Sequence, residues 1–103
     1  MNGKTGQIPL YSLIKKRRRA ILKLAAKHGA ARVRLFGSAV RGEDTPRSDA
    51  DFLVSMGKGR SLFDLISLSQ DLQELLGRKV DVVTDRGLSP YLRGNILREA
   101  RSL

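Results

Sequence analysis

Cysteine and tryptophan are absent from the 103-residue sequence, and histidine occurs once. Without cysteine, the chain can form neither disulfide bonds nor thiolate metal sites, and it offers no cysteine nucleophile. This composition is compatible with a reducing cytoplasm, where we expect the protein to reside. No apolar run approaches the roughly 18 residues that a membrane span requires, so no membrane partner is expected. The single histidine, His28, lies at the end of a predicted helix, which favours a structural role over catalysis.

Acidic residues are also absent from the first third of the chain. Residues 1–34 contain ten Lys or Arg and no Asp or Glu, whereas residues 35–103 contain ten basic and ten acidic residues. The whole net charge of +10 therefore lies in the first 34 residues. Such a segment favours an acidic protein, an RNA or a nucleotide as a partner, and a solvated helix face is the ordinary alternative. Aromatic residues make up only 5% of the chain, which argues against a base-stacking surface.

The pattern of apolar and turn-forming residues predicts one domain over residues 1–103 in which helices and strands alternate. Residues 1–8 are predicted to be flexible, and residues 9–28 to form a basic helix. The direction in which the first two strands pair is left open by the pattern. In chain order the later predicted elements are a strand at 32–36, a short helical turn at 39–41, a loop at 42–48, a strand at 49–55, a helix at 62–76, a strand at 79–84 and a helix that begins at Ser89-Pro90.

Three aspartates lie in or beside apolar strands, where a carboxylate is costly unless it is paired or binds a cation. Asp49 and Asp51 open the second strand, and residues two apart on a strand point to the same face. Asp81 lies in the middle of the third strand. If these two strands are neighbours, three carboxylates meet, and an oxygen-only cluster suits Mg²⁺. Taken singly, each aspartate has an ordinary explanation as a turn residue, an exposed residue or the partner of an arginine.

Gly37-Ser38 directly follows the first predicted strand. A turn or short helix that begins there presents backbone N–H groups and a hydroxyl to an anion, which is how many proteins hold phosphate. A Gly-Ser pair alone is a weak signal, since most such pairs are only turns. The spacing makes it specific, because ten residues separate Ser38 from Asp49-Ala50-Asp51. A predicted phosphate-binding turn therefore lies beside a predicted two-carboxylate metal site.

Together these segments resemble a known signature. Residues 35–42 and 48–54 are similar to the signature of the DNA polymerase β-like nucleotidyltransferase superfamily. Within it, the chain most resembles the minimal nucleotidyltransferases, the MntA-type antitoxins that are paired with HEPN-domain toxins. The resemblance implies an α+β class with the polymerase β-like fold, a small mixed sheet of about three or more strands flanked by helices. Further similar segments are 61–65, 77–83 and 96–100, so that the resemblance covers roughly residues 30–103.

The resemblance implies a role for each matching residue. Gly37 and Ser38 would hold the triphosphate of ATP, and Arg41 would either contact phosphate or pair structurally. The implied catalytic and metal-binding residues are Asp49, Asp51 and Asp81. The first two aspartates would ligate Mg²⁺, and the third would help to bind a second Mg²⁺ ion and activate the acceptor hydroxyl. Two such ions, about 4 Å apart, would bridge the attacking and leaving oxygens.

The activity implied by the resemblance is that of an antitoxin enzyme. It would transfer AMP from ATP to a hydroxyl, expected to be a tyrosine, of a cognate HEPN toxin with which it forms an oligomeric complex. One alternative is an antitoxin that neutralises its partner by binding and occlusion without catalysis, which the apolar and basic first helix fits. Direct nucleic-acid binding is less favoured, because the excess of basic residues lies mainly in one predicted helix. A small-molecule acceptor is also disfavoured, because such enzymes usually carry a further substrate domain.

Overall fold

A computed structural model describes residues 9–103 of the chain. The segment 1–8, which is predicted to be flexible, lies outside the described residues. The helices are α1 (Leu10–Lys16), α2 (Arg18–Lys27), α3 (Ser38–Arg41), α4 (Leu62–Leu76) and α5 (Pro90–Glu99). The strands are β1 (Ala30–Phe36), β2 (Ala50–Met56), β3 (Val80–Thr84) and β4 (Arg101–Ser102), and a 3-10 turn covers Asp85–Gly87. None of the helices in this described part combines the length and apolar character needed to cross a membrane.

The basic segment differs from the predicted single helix over residues 9–28, because it forms two helices that are separated at Arg17. Arg17 falls on the apolar stripe that contains buried Ile14 and Ile21, so a regular helix would turn its guanidinium toward the core. The backbone departs from helical geometry there, with φ −98° and ψ 15°, and the Arg17 side chain is exposed. The break therefore keeps the apolar stripe buried while the charge remains in solvent.

The four strands form one mixed sheet in the order β3-β2-β1-β4. β1 runs antiparallel to β2 and to β4, whereas β2 and β3 are parallel, with α4 as the crossover between them. The predicted α+β class, with a small mixed sheet flanked by helices, is confirmed. The structure also supplies the pairing direction of the first two strands, which the sequence pattern leaves open.

One face of the sheet carries the main hydrophobic core. Ala50, Phe52 and Val54 of β2 are at most 1% exposed and pack in one cluster with the buried residues of α2 and α4. His28 Nε2 lies 2.6 Å from Asp71 Oδ2, a contact that links the end of α2 to α4, in agreement with the structural role expected for this histidine. Because side chains alternate along a strand, residues 51, 53 and 55 point to the opposite face of the sheet.

The opposite face carries a buried arginine. Arg34 is only 8% exposed, and its Nη2 donates a hydrogen bond of 2.5 Å to Asp85 Oδ1. Ser55 Oγ donates to the other carboxylate oxygen of Asp85 at 2.9 Å. These two bonds attach the 3-10 turn to the sheet at the point where the chain leads into α5.

Asp85→Ala is expected to lower the free energy of unfolding by about 3 kcal/mol, because it leaves the Arg34 guanidinium buried without its counterion. Ser55→Ala removes only one hydrogen bond to the same carboxylate and is expected to cost about 1 kcal/mol. Urea denaturation of the wild type and both variants measures the two losses. Equal losses in the two variants would contradict a buried ion pair at this position.

Candidate active site

The parallel pairing of β2 and β3 brings two carboxylates side by side. Asp51 and Asp81 are direct register partners, so both lie on the sheet face opposite the core. Asp49 immediately precedes the first residue of β2. On its other side, Asp51 is the register partner of Phe36, the residue before Gly37. The sheet therefore brings the predicted metal-binding segments and the predicted phosphate-binding turn together, at one end of the neighbouring strands β1, β2 and β3.

Asp51, one of the predicted metal-binding aspartates, has a clearly shifted pKa. Burial, followed by repulsion from Asp81 and Asp49, raises the pKa of Asp51 to about 6. The positive charge of Arg41 opposes this rise. Carboxylates that repel one another in this way gain stability when a divalent cation neutralises them. The electrostatic environment of Asp51 is thus the one expected of a cation ligand.

Mg²⁺ fits the donor set of this site. Within residues 9–103, no three or more His, Cys, Asp or Glu side chains form a ready-made metal cluster. Mg²⁺ usually binds one or two protein carboxylates and completes its octahedral shell with substrate phosphates and water. The register pair Asp51 and Asp81 offers that number of oxygen donors. Asp49 lies close enough to raise the pKa of Asp51, and its role as a direct ligand stays a prediction.

Gly37 has a backbone conformation that a side chain would strain. Its φ is 82° and its ψ is −156°, a region essentially restricted to glycine. A Cβ added here would overlap Asp51 Oδ2. The absence of a side chain therefore permits both the sharp turn from β1 into α3 and the close approach of the Asp51 carboxylate. α3 begins at half-buried Ser38, and the first turn of a helix leaves N–H groups free for a ligand.

Glu99 belongs to this site, and the sequence prediction missed it. Glu99 Oε2 accepts a hydrogen bond of 2.7 Å from the Gly37 N–H, and Oε1 accepts one of 2.5 Å from Arg41 Nη1. Burial alone would raise the pKa of Glu99, but the Gly37 N–H and Arg41 together lower it, so the carboxylate is ionised at neutral pH. Residues 96–100 carry part of the family resemblance, yet no sequence pattern links Glu99 to Gly37.

Arg41 pairs with two carboxylates in the structure. Besides its contact with Glu99, Arg41 Nε donates to Glu43 Oε1 at 2.8 Å. Hydrogen bonds to Glu43 and Glu99 hold the pKa of Arg41 above its usual value. Of the two roles that the resemblance implies for Arg41, structural pairing is the one seen in this structure. Its guanidinium nevertheless lies at the predicted phosphate-binding turn and remains exposed.

An open cleft of about 680 Å³ lies elsewhere on the molecule, at the opposite ends of β2 and β3. Its lining includes Ser55 and Thr84 of the two strands and the basic residues Lys58, Arg60 and Arg86. Asp51 and Ser55 are four residues apart on β2, which corresponds to about 13 Å along a strand. The cleft is therefore separate from the carboxylate pair.

Proteins with similar sequences carry names that describe one activity. Residues 16–103 match the family described as "Nucleotidyltransferase domain". Protein adenylyltransferase MntA of Thermococcus cleftensis is 38% identical over 77 residues, which cover 75% of this chain and 78% of that protein. A protein of Methanocaldococcus jannaschii, provisionally named a protein adenylyltransferase, is 45% identical over 83 residues, covering 81% of this chain and 89% of that protein.

Solved structures share the arrangement of helices and strands. A structure provisionally described as a minimal nucleotidyltransferase has a TM-score of 0.81 and 49% identity, covering 90% of this chain and 95% of that chain. A toxin–antitoxin structure with AMP-PNP has a TM-score of 0.71 and 26% identity, covering 82% of this chain and 69% of that chain. The similarity to both structures extends over most of the sheet and helices described above.

Proposed function

The chain belongs to the nucleotidyltransferase domain family, and on this basis we propose that it is an antitoxin enzyme that transfers AMP from ATP to a hydroxyl of a cognate HEPN toxin. Relatives named protein adenylyltransferase support a protein as the acceptor, in agreement with the resemblance found in the sequence. The toxin–antitoxin neighbour with AMP-PNP supports both a toxin partner and an adenine nucleotide donor. A tyrosine is the acceptor that we expect, as the resemblance implies.

The observation that carries the proposal is the direct register pairing of Asp51 with Asp81 beside the turn at Gly37. In the proposed reaction, the N–H groups at the start of α3 orient the phosphates of ATP. Asp51 and Asp81 would hold Mg²⁺, with Asp49 beside them; the cation would neutralise charge on the α-phosphate and the leaving pyrophosphate. Asp81 is exposed, so an acceptor hydroxyl can approach its carboxylate from solvent.

Large apolar side chains on the surface support a protein partner. Phe63 of α4 is 81% exposed and Tyr91 of α5 is 93% exposed, with Leu62 and Leu92 beside them at 68% and 55%. Exposed aromatic and aliphatic residues of this size are typical of protein interaction surfaces. The same surfaces would serve an antitoxin that acts by occlusion without catalysis, which is the second candidate function.

The deciding experiment is intact-mass spectrometry of a candidate HEPN toxin after incubation with this chain, Mg²⁺ and ATP. We expect the toxin to gain one or more AMP units, and we expect no gain with the Asp51→Asn variant. A tight complex without added mass would favour occlusion. If the toxin neither gains mass nor forms a complex with this chain, the acceptor is a different molecule.

A further inference from the structure

The Gly37 N–H, at the turn expected to hold the triphosphate, and Arg41, for which phosphate contact is one of two implied roles, already bind a carboxylate of the same chain. Glu99 accepts from the Gly37 N–H at 2.7 Å and from Arg41 Nη1 at 2.5 Å. In both contacts the acceptor is an ionised carboxylate, and hydrogen bonds to a charged group are stronger than those between neutral groups. We propose that Glu99 acts as an internal competitor of the nucleotide, occupying the phosphate position until the triphosphate displaces it. The inference rests on the proposed function, because it concerns the same nucleotide site.

A competitor must be able to leave, and the surroundings of Glu99 allow this. α5 contains no buried residue, so little packing would oppose a movement of its last turn. Two positions later, Arg101 pairs with Leu35 in the sheet, so the backbone beyond the helix is held in place. In the proposed displacement, a change of side-chain rotamer would withdraw the Glu99 carboxylate while β4 stays in place. The displaced carboxylate would reach solvent, since the Glu99 side chain is already partly exposed and its partner Arg41 lies at the surface.

The charges of the site make the competition direct. An anionic phosphate and the Glu99 carboxylate cannot both bind the Gly37 N–H. Glu99 also adds a negative charge that raises the pKa of Asp51, alongside the larger effects of burial and the other aspartates. The apparent affinity for a ligand is reduced by the fraction of molecules in which its site is open. With Glu99 in place, that fraction is smaller, and so the apparent affinity for triphosphate is lower.

A purely structural role for Glu99 predicts the opposite result. If Glu99 only fixed the Gly37 turn and Arg41, its neutralisation would loosen the phosphate site and weaken binding. If Glu99 competes, Glu99→Gln removes the competing charge while keeping the size of the side chain. We expect the variant to bind Mg²⁺ and inorganic tripolyphosphate, and Mg²⁺ with ATP, about 3- to 10-fold more tightly than the wild type.

Glu43→Gln is the matched control. Glu43 also pairs with Arg41, through Nε at 2.8 Å, but it is exposed and the structure shows it bonded to the arginine rather than to Gly37. We expect its effect on tripolyphosphate affinity to be less than about twofold, as for other exposed ion pairs. Equal tightening in both variants would overturn the proposal, because the effect would then come from release of Arg41 or from net charge.

Isothermal titration calorimetry measures binding without needing an acceptor. Unchanged or weaker binding by Glu99→Gln, with a wild type that binds normally, would overturn the inference and leave the proposed function intact. Failure of the wild type and both variants to bind a triphosphate would overturn the inference and the proposed function together. If Glu99→Gln does not fold, Glu99→Asp provides the same test, because its shorter side chain cannot span both donors and should also tighten binding.

Discussion

Asp51→Asn is expected to lower the rate of nucleotidyl transfer by roughly a thousandfold while the protein remains folded. The substitution keeps the size of the side chain but removes one of the two negative charges in the register pair with Asp81. A neutral amide is a poor ligand for Mg²⁺, which prefers carboxylate oxygens. Transfer of AMP from ATP at saturating Mg²⁺ measures the loss.

The same variant is expected to be more stable than the wild type in metal-free buffer. The folded-state pKa of Asp51, about 6, lies above the ordinary value of 3.8, so the fold favours the protonated carboxyl. The associated stability is fully present below 3.8 and is lost as the pH rises through about 6. At about pH 8 the wild type therefore holds a destabilising charge that the asparagine lacks. Since Asp51 is only half-buried, we expect a gain of about 1 kcal/mol after allowing for solvent screening.

The pH dependence of the stability gain tests whether it comes from removing the negative charge of Asp51. The difference in melting temperature, about 4–8 °C at high pH, should shrink as the pH falls below the folded-state pKa of about 6 and vanish below the ordinary value of 3.8. Glu74→Gln on the exposed face of α4 is the control, and it should change neither activity nor stability. A variant at position 51 that loses stability and activity together would indicate that Asp51 supports the fold and has no direct part in the chemistry.

The parts of the fold that the sequence predicted are those whose signals are local. The sequence predicts α4 over residues 62–76, and the structure has the same bounds, because the residues that begin and end this helix are adjacent to it in sequence. Ser61 and Asp64 form the predicted capping box, and Gly77 ends the helix in the left-handed conformation. The Asp51–Asp81 pairing was predicted only on the condition that the two strands were neighbours, which the pattern could not establish.

The features that escaped prediction depend on distant contacts. Glu99 is 62 positions from Gly37, and a two-residue strand such as β4 is too short to show a periodicity. The alternation of residues in β1 predicts that Arg34 faces solvent. In the structure it is buried and pairs with Asp85, which is 51 positions later in the sequence. The positions of Glu99 and Arg34 depend on segments that are distant in sequence and pack against them. The pattern of residues in a single sequence does not show which distant segments pack together.

Gly37→Ala is expected to cost about 3 kcal/mol of stability and roughly a hundredfold in transfer rate. Two causes combine at this position: a backbone conformation with φ 82° and ψ −156°, and a Cβ that would overlap Asp51 Oδ2. Relieving the overlap would displace the Asp51 carboxylate from its position beside the turn. Urea denaturation and the transfer assay measure the two losses.

Gly77→Ala is the matched control, since Gly77 also has a positive φ, of 66°, but nothing lies within 4 Å of its added Cβ. It should cost about 1 kcal/mol, the ordinary penalty of a left-handed residue, and leave transfer unchanged. A double-mutant cycle then separates the cost of the overlap between the added Cβ and Asp51 Oδ2 from the cost of the backbone strain. In an Asp51→Ala background the overlap at Gly37 is gone and only the backbone strain remains, so Gly37→Ala should cost clearly less than in the wild type. Equal costs in the two backgrounds would mean that strain alone explains this glycine, and that the close approach of the Asp51 carboxylate to the turn has no energetic consequence.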